Sequence, residues 1–260
     1  MNRIDQLFKQ KSSKILSIYM TAGYPGLNDT VNIIKLLQKG GADMIEIGIP
    51  FSDPLADGFV IQSSSQKALQ NGMSPSLLFD QLSGIRAQVT IPLILMGYLN
   101  PVLKYGFENF LKDCRRVGID GLIIPDLPLD EYEADYEPLC KSYGIHLSML
   151  IAPHTSAERI NRIASQSRGF LYMVADSSTT GARSGIKDQQ LEYFERVKQM
   201  NLDLPRLIGF GISSHETFEK ASQYANGAII GSAFIDALRE ADNLETAIMN
   251  FLNEILTGES

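Results

Sequence analysis

Short apolar runs recur along the chain, each followed by a turn and then by a stretch whose apolar residues return every three or four positions. The runs are "ILSIYMT" (15–21), "MIEIGI" (44–49), "LILMGY" (93–98), "GLIIP" (121–125), "HLSMLI" (146–151), "FLYMVA" (170–175), "RLIGF" (206–210) and "GAIIG" (227–231). Runs that are apolar almost throughout fit strands of a parallel sheet buried on both faces. The stretches between them, such as "NDTVNIIKLLQKGG", "GFENFLKDCRRVG" and "SSHETFEKASQYANG", fit amphipathic helices with a capping residue in front and glycine behind. Eight such units in 260 residues predict an α/β fold, a closed (β/α)8 TIM barrel. An open doubly wound sheet is the alternative, but "TAGYPG" after the first run lacks the usual Gly-x-Gly-x-x-Gly turn. Residues 1–13 predict a short N-terminal helix under the barrel, and 58–88 leaves room for two helices between the second and third strands. No linker or low-complexity tract interrupts the chain, so residues 1–260 are read as a single domain.

Charge narrows the partners. Lys plus Arg is 23 against 30 for Asp plus Glu, a net charge of −7, and no basic cluster is longer than Arg115-Arg116. A nucleic-acid backbone would find no electrostatic footprint here. The two cysteines, Cys114 and Cys140, fall in helix-like segments and form no CxxC pair, so buried reduced thiols are expected. The opening "MNRIDQLFKQKSSK" has no apolar core of a secretory signal, and runs such as "IPLILMGYL" are under half the ~20 residues needed to span a bilayer. A cytoplasmic protein is expected.

The chemistry concentrates in "IEIGIPFSDPLADG" (45–58), where a carboxylate interrupts a run of isoleucines. If Ile45, Ile47 and Ile49 pack under helices, then Met44, Glu46 and Gly48 face the barrel interior. Desolvation there would raise the pKa of Glu46 into the range useful for donating and accepting protons. The competing reading is a buried Glu satisfied by a hydroxyl or amide on a neighbouring strand. Position favours chemistry, because Glu46 sits late in its strand and barrel active sites lie at strand C-terminal ends. Asp53 and Asp57 occupy the loop leaving that same end; Asp57, before Gly58, could equally be a turn residue or a cap.

A second constellation lies near the other end of the chain. "GFGIS" (209–213) follows the seventh strand and "GSAF" (231–234) the eighth, where glycines let backbone N–H groups approach an anion. "STTGARSG" (178–185), after the sixth strand, is expected to fold over the same phosphate as a lid. Tyr19 and Tyr172 could line a pocket, with core packing as the default for both. His146, His154 and His215 have no Cys or second His at ligand spacing, so no metal is expected.

Together "MIEIGIPFSDPLADG", "MGYLNPVLKYG", "GIDGLIIPDLP", "TTGAR" and "GFGIS" resemble the tryptophan synthase alpha subunit family over essentially the whole chain. The resemblance implies a barrel that cleaves indole-3-glycerol phosphate to indole and glyceraldehyde 3-phosphate without metal or cofactor. It also implies an α2β2 complex whose beta subunit carries pyridoxal phosphate and joins indole to serine. Carried over, it makes Glu46 and Asp57 catalytic and assigns Tyr19, Tyr172, Thr180, Gly181, Gly211, Gly231 and Ser232 to substrate. It places Asp53 and Asn100 at the partner interface. One departure is the loop "ADSSTTG", where Ser178 replaces a glycine and Ala175 a serine of the family pattern. Rival readings are another phosphate-binding barrel enzyme, a non-catalytic barrel that activates a partner, and a lyase that works alone.

Overall fold

The structure is a computed structural model, and it describes residues 1–55, 57–174, 188–209, 211–239 and 241–259. Among these residues the strands are β1 (Ile15–Thr21), β2 (Met44–Gly48), β3 (Leu93–Met96), β4 (Gly121–Ile123), β5 (His146–Leu147), β6 (Leu150–Ile151), β7 (Leu171–Val174), β8 (Arg206–Gly209) and β9 (Gly227–Ile230). All pairings are parallel, in the spatial order β5-β4-β3-β2-β1-β9-β8-β7-β6. The two ends of that order are consecutive pieces of chain, separated only by Ser148 and Met149. The Ser148 N–H donates to the Leu122 carbonyl of β4, while the Met149 carbonyl accepts from the Tyr172 N–H of β7. β5 and β6 are therefore two halves of one strand, and the sheet curls into the eight-stranded ring of a TIM barrel. The run "HLSMLI" is divided because the chain changes neighbour in its middle, leaving each half two residues long.

Parity decides what lies inside the ring. Ile15, Met44, Ile94, Ile123, Phe170, Tyr172, Leu207 and Ile229 pack together within it. Residues of the other parity, including Ile45, Ile47, Leu93, Leu95 and Leu122, belong to the layer under the helices. The expectation that Met44, Glu46 and Gly48 face inward is met. So is the N-terminal helix: Arg3–Gln10 closes the floor, with Ile4, Leu7 and Phe8 packed on the interior cluster. Asn2 caps that helix and also donates to the Asp120 carbonyl at 2.7 Å, while the buried Asp120 carboxylate is paired with Arg3 and Arg86. Between β2 and β3 run two helices, Phe59–Gln70 and Pro75–Gln81, and a short turn Ile85–Ala87, as the length of that segment predicted. Cys114 and Cys140 are buried free thiols on helices Phe107–Val117 and Glu137–Tyr143.

The third run is shorter than read: β3 ends at Met96, and Gly97-Tyr98 lead into the helix Leu99–Tyr105. Two glycines make the upper interior possible. A Cβ on Gly48 would lie 2.0 Å from the Tyr19 hydroxyl oxygen, and one on Gly209 would lie 2.2 Å from that of Tyr172. Each tyrosine fills the space its neighbouring strand leaves empty, so ring and glycine are one packing unit. Gly48→Ala overpacks this unit and lowers stability by about 1–3 kcal/mol. Adding Tyr19→Ala to the same chain recovers part of the loss, a coupling read from urea unfolding of the two singles and the double. Additive effects would remove the contact from the account.

Candidate active site

β2 delivers both candidate carboxyls. Glu46 is on the strand itself and fully buried; it pairs in register with Tyr19 on β1 and Ile94 on β3. Its Oε1 accepts a hydrogen bond from the Ser17 hydroxyl at 2.9 Å, and its Oε2 is buried with no hydrogen-bond partner. Burial pushes its pKa from 4.5 to about 8, against a smaller lowering by the Ser17 bond. The neighbouring hydroxyl of the structural reading is thus present, but it satisfies only one of the two oxygens.

Asp57 lies half-buried in the loop after β2, where Tyr98 donates to its Oδ2 at 3.2 Å. Burial raises it to about 6, with the Tyr98 bond again pulling down. It is no helix cap: Gly58 holds the cap position of Phe59–Gln70. Asp57 lines a narrow cleft open to solvent, together with Tyr19, Phe51, Ser65, Met96, Tyr98 and others. The Phe51 and Tyr98 rings meet there at a 34° tilt with centroids 5.3 Å apart. Tyr19 ties the deep and shallow carboxyls together: its hydroxyl is pushed well up by burial and then by the charges of Asp57, Tyr98 and Glu46. Tyr172, nearly fully buried on β7, is raised by burial and then by Glu46 and Asp57. Both phenols therefore stay neutral donors throughout the physiological range.

The glycine loops after β8 and β9 reach the same end of the barrel. Gly211 has φ +77°, and a Cβ built there meets nothing within 4 Å, so only its backbone conformation demands glycine. Gly231 lies against Tyr19, with its Cβ position 3.4 Å from the Tyr19 Cβ, and Ser232 opens the helix Ser232–Arg239. The first N–H groups of that helix lack intrahelical acceptors, as an anion site requires. Thr180 and Gly181, with Ala175 and Ser178, lie outside the described residues. Asp53 is exposed, accepting from the Ser52 hydroxyl at 2.6 Å, and Asn100 is exposed on the helix Leu99–Tyr105. Among the described residues no group of His, Cys, Asp and Glu comes together to hold a metal ion, and no helix is long and apolar enough to cross a membrane.

Two neighbours of these carboxyls escaped the sequence reading. Tyr98 continues the inward parity of Ile94 and Met96, a signal that was there to be counted. Ser17 has the inward parity of Ile15 and Tyr19, but its meeting with Glu46 depends on the β1–β2 register, which sets Ser17 opposite Met44.

The family model described as the tryptophan synthase alpha chain matches residues 6–257. The chain belongs to the tryptophan synthase alpha chain family. Members of that family are carbon–carbon lyases of tryptophan biosynthesis that cleave indole-3-glycerol phosphate. The chain is 57% identical to the tryptophan synthase alpha chain of Flavobacterium psychrophilum over 255 residues, covering 98% of this chain and 100% of that one. It is 51% identical to the one from Bacteroides thetaiotaomicron over 249 residues, covering 96% and 97%. Among solved structures, tryptophan synthase subunit alpha of Legionella pneumophila superposes with a TM-score of 0.88 at 35% identity, covering 98% of this chain and 97% of that one. A tryptophan synthase structure from Mycobacterium tuberculosis gives 0.88 at 31% identity, covering 98% and 96%.

A pH test follows from the buried carboxyl. An acid whose folded pKa, about 8, stands above its ordinary 4.5 binds its proton more tightly folded than unfolded. Its contribution to stability is complete below the lower value and is lost as pH rises through the higher one, by at most about 1.4 kcal/mol per pH unit. Glu46→Gln abolishes this titration while keeping an acceptor for Ser17. Urea unfolding at pH steps from about 5 to about 8 should show the parent weakening relative to Glu46→Gln. Parallel curves would mean that Glu46 folds without holding its proton.

Proposed function

We propose that this chain cleaves indole-3-glycerol phosphate with Glu46 as the acid–base group and Asp57 as the charge that stabilises the protonated ring. The observation that carries the reading is the pair itself: two carboxyls from one strand end, poised about 8 and about 6 around Tyr19. Between those values Glu46 is neutral and Asp57 is ionised, so one environment supplies an acid and the other an anion. Glu46 gives its proton to C3 of the indole, and the ring nitrogen becomes cationic. Asp57 opposes that charge, which exists only after protonation, so its contribution falls on the transition state. Glu46, now a carboxylate, takes the proton of the hydroxyl on the carbon attached to the ring. The bond between that carbon and C3 breaks, its electron pair returns to the ring, and indole and glyceraldehyde 3-phosphate result. Tyr19 and Tyr172 pack the ring, while the backbone of Gly211, Gly231 and Ser232, with Thr180 and Gly181 from the family pattern, holds the phosphate. The chemistry needs no cofactor of this chain.

A cytoplasmic beta subunit completes the reading. Leu55 is 88% exposed and Phe59 76% exposed beside the cleft, and Leu103 is exposed on the helix that carries Asn100. Large apolar side chains clustered on one rim mark a docking surface. The proposed occupant is the beta subunit of an α2β2 complex, which carries pyridoxal phosphate and receives indole directly.

The free enzyme's kcat/KM should peak between a limb near pH 6, where Asp57 gains a proton, and one near pH 8, where Glu46 loses its own. Asp57→Asn and Glu46→Gln should each lower kcat by about 10²–10⁴ with KM little changed. Cleavage by Glu46→Gln within tenfold of the parent returns that residue to a structural role.

Indole release should accelerate when a beta subunit is titrated in, because docking orders the loops around Asp57. Asp53→Ala and Asn100→Ala should shift that titration to higher beta concentration while leaving the basal rate. A rate unchanged at saturating beta, with no complex in sedimentation, means the lyase works alone.

A further inference from the structure

The acid–base reading leaves a question about Glu46: which of its oxygens carries the proton that is transferred? A neutral carboxyl has one protonated oxygen and one that accepts, and in solution the two exchange by rotation. Inside the barrel they are not equivalent. We infer that Ser17 is a positioning residue for the reaction, whose hydroxyl fixes Oε1 as the acceptor and so leaves Oε2 as the oxygen that gives and takes the proton. The inference rests on the reading of Glu46 as the acid–base group.

Geometry supports it from three sides. Ser17 and Glu46 are both fully buried, so no bulk water competes for their 2.9 Å bond. Oε2 is buried and has no partner, and an unpartnered buried polar atom of this kind is costly. A fold that tolerates this cost at the end of a strand feeding a cleft keeps that atom free for something else to meet. Finally, Ser17 is two residues before Tyr19, the register partner of Glu46, so it grips the carboxyl from the side nearer the N-terminal end of the barrel. The cleft opens at the other end, where Tyr19 and Asp57 line it.

The other polar groups around Glu46 do not take over this task. From β1, β7, the loop after β2 and the turn after β3 come Tyr19, Tyr172, Asp57 and Tyr98; β3, β8 and β9 present Ile94, Leu207 and Ile229. The Ser17 bond is the one side-chain hydrogen bond that acts on the titration of Glu46, and it lowers its pKa. Asp57 titrates too, but on the acid side of the profile. The alkaline limb therefore reports Glu46 and, through it, Ser17.

The test compares Ser17→Ala, Ser17→Thr and Glu46→Gln with the parent, measuring kcat and KM for indole-3-glycerol phosphate across pH. Infrared difference spectra give a readout besides activity: the carbonyl stretch of the protonated Glu46, assigned as the band that Glu46→Gln removes. In Ser17→Ala the alkaline limb should move to higher pH and kcat should fall about tenfold, with KM within about twofold. The carbonyl stretch should rise in frequency as Oε1 loses its donor. Ser17→Thr, which keeps the hydroxyl, should restore all three. Should Ser17→Ala fail to fold, Ser17→Cys, a weaker donor of similar size, should show intermediate shifts in the same direction. A Ser17→Ala protein that loses stability but keeps the parent's limb and carbonyl band overturns the inference, leaving Ser17 as core packing. If Glu46→Gln itself cleaves within tenfold of the parent, the reading of Glu46 fails instead, whatever Ser17 does.

Discussion

A carboxyl at the centre of a barrel must be paired or neutral, and Glu46 is paired at one oxygen only. It shares the barrel interior with Ile94, Leu207, Ile229 and the rings of Tyr19 and Tyr172, the same side chains that hold the ring of strands together. Their low polarity moves the acid from 4.5 to about 8. Core and buried acid are thus one object. A more polar interior would leave Glu46 ionised at neutral pH and unable to donate, and would also weaken the packing on which the eight strands close. The glycines at 48 and 209 belong to the same constraint, since without them neither tyrosine could stand beside Glu46.

Depth sorts the two acids. Glu46 lies within β2, whereas Asp57 lies in the loop beyond it, half-exposed and held by Tyr98 at 3.2 Å. The shallower group is raised less, to about 6, and the interval between the two values is the interval in which one is an acid and the other an anion. No metal or fixed cation is needed to separate them. A single strand, by running from a dry interior into a wet loop, does it with two residues of similar chemistry.

Much of this was legible from residues 44 to 58. The alternation of Met44, Glu46 and Gly48 with Ile45 and Ile47 fixed the facing of β2, and strand polarity put Asp57 at the open end. The floor helix and the two helices after β2 followed from polarity and length. What stayed hidden depends on register. Ser17 is an ordinary strand serine until β1 slides to set it opposite Met44, and nothing local to "ILSIY" specifies that offset. The split of "HLSMLI" into β5 and β6 is hidden for the same reason, since it records which neighbours the ring supplies and not a preference of Ser148 or Met149. Tyr98 shares the inward parity of Ile94 and Met96, but its meeting with Asp57 depends on how the chain turns after it leaves the sheet at Met96.

The exposed rim sets a limit on what any cover of the proposed site could do. Leu55 and Phe59 flank Asp57 on both sides in sequence and stand open to water. A surface laid over them would remove water from Asp57 as well, and desolvation alone would drive its pKa up toward that of Glu46, closing the interval that sorts their roles. In the proposed reaction a substrate in the cleft would act the other way, because a ring gaining positive charge next to Asp57 would favour the ionised form. Cover and substrate therefore oppose each other at this carboxyl. Closing the face over an empty cleft erodes the asymmetry between the acids, and closing it over a ring that is taking up a proton restores it. The cleft is best shut when it is full, which is the order of events that a lyase releasing a small apolar product requires.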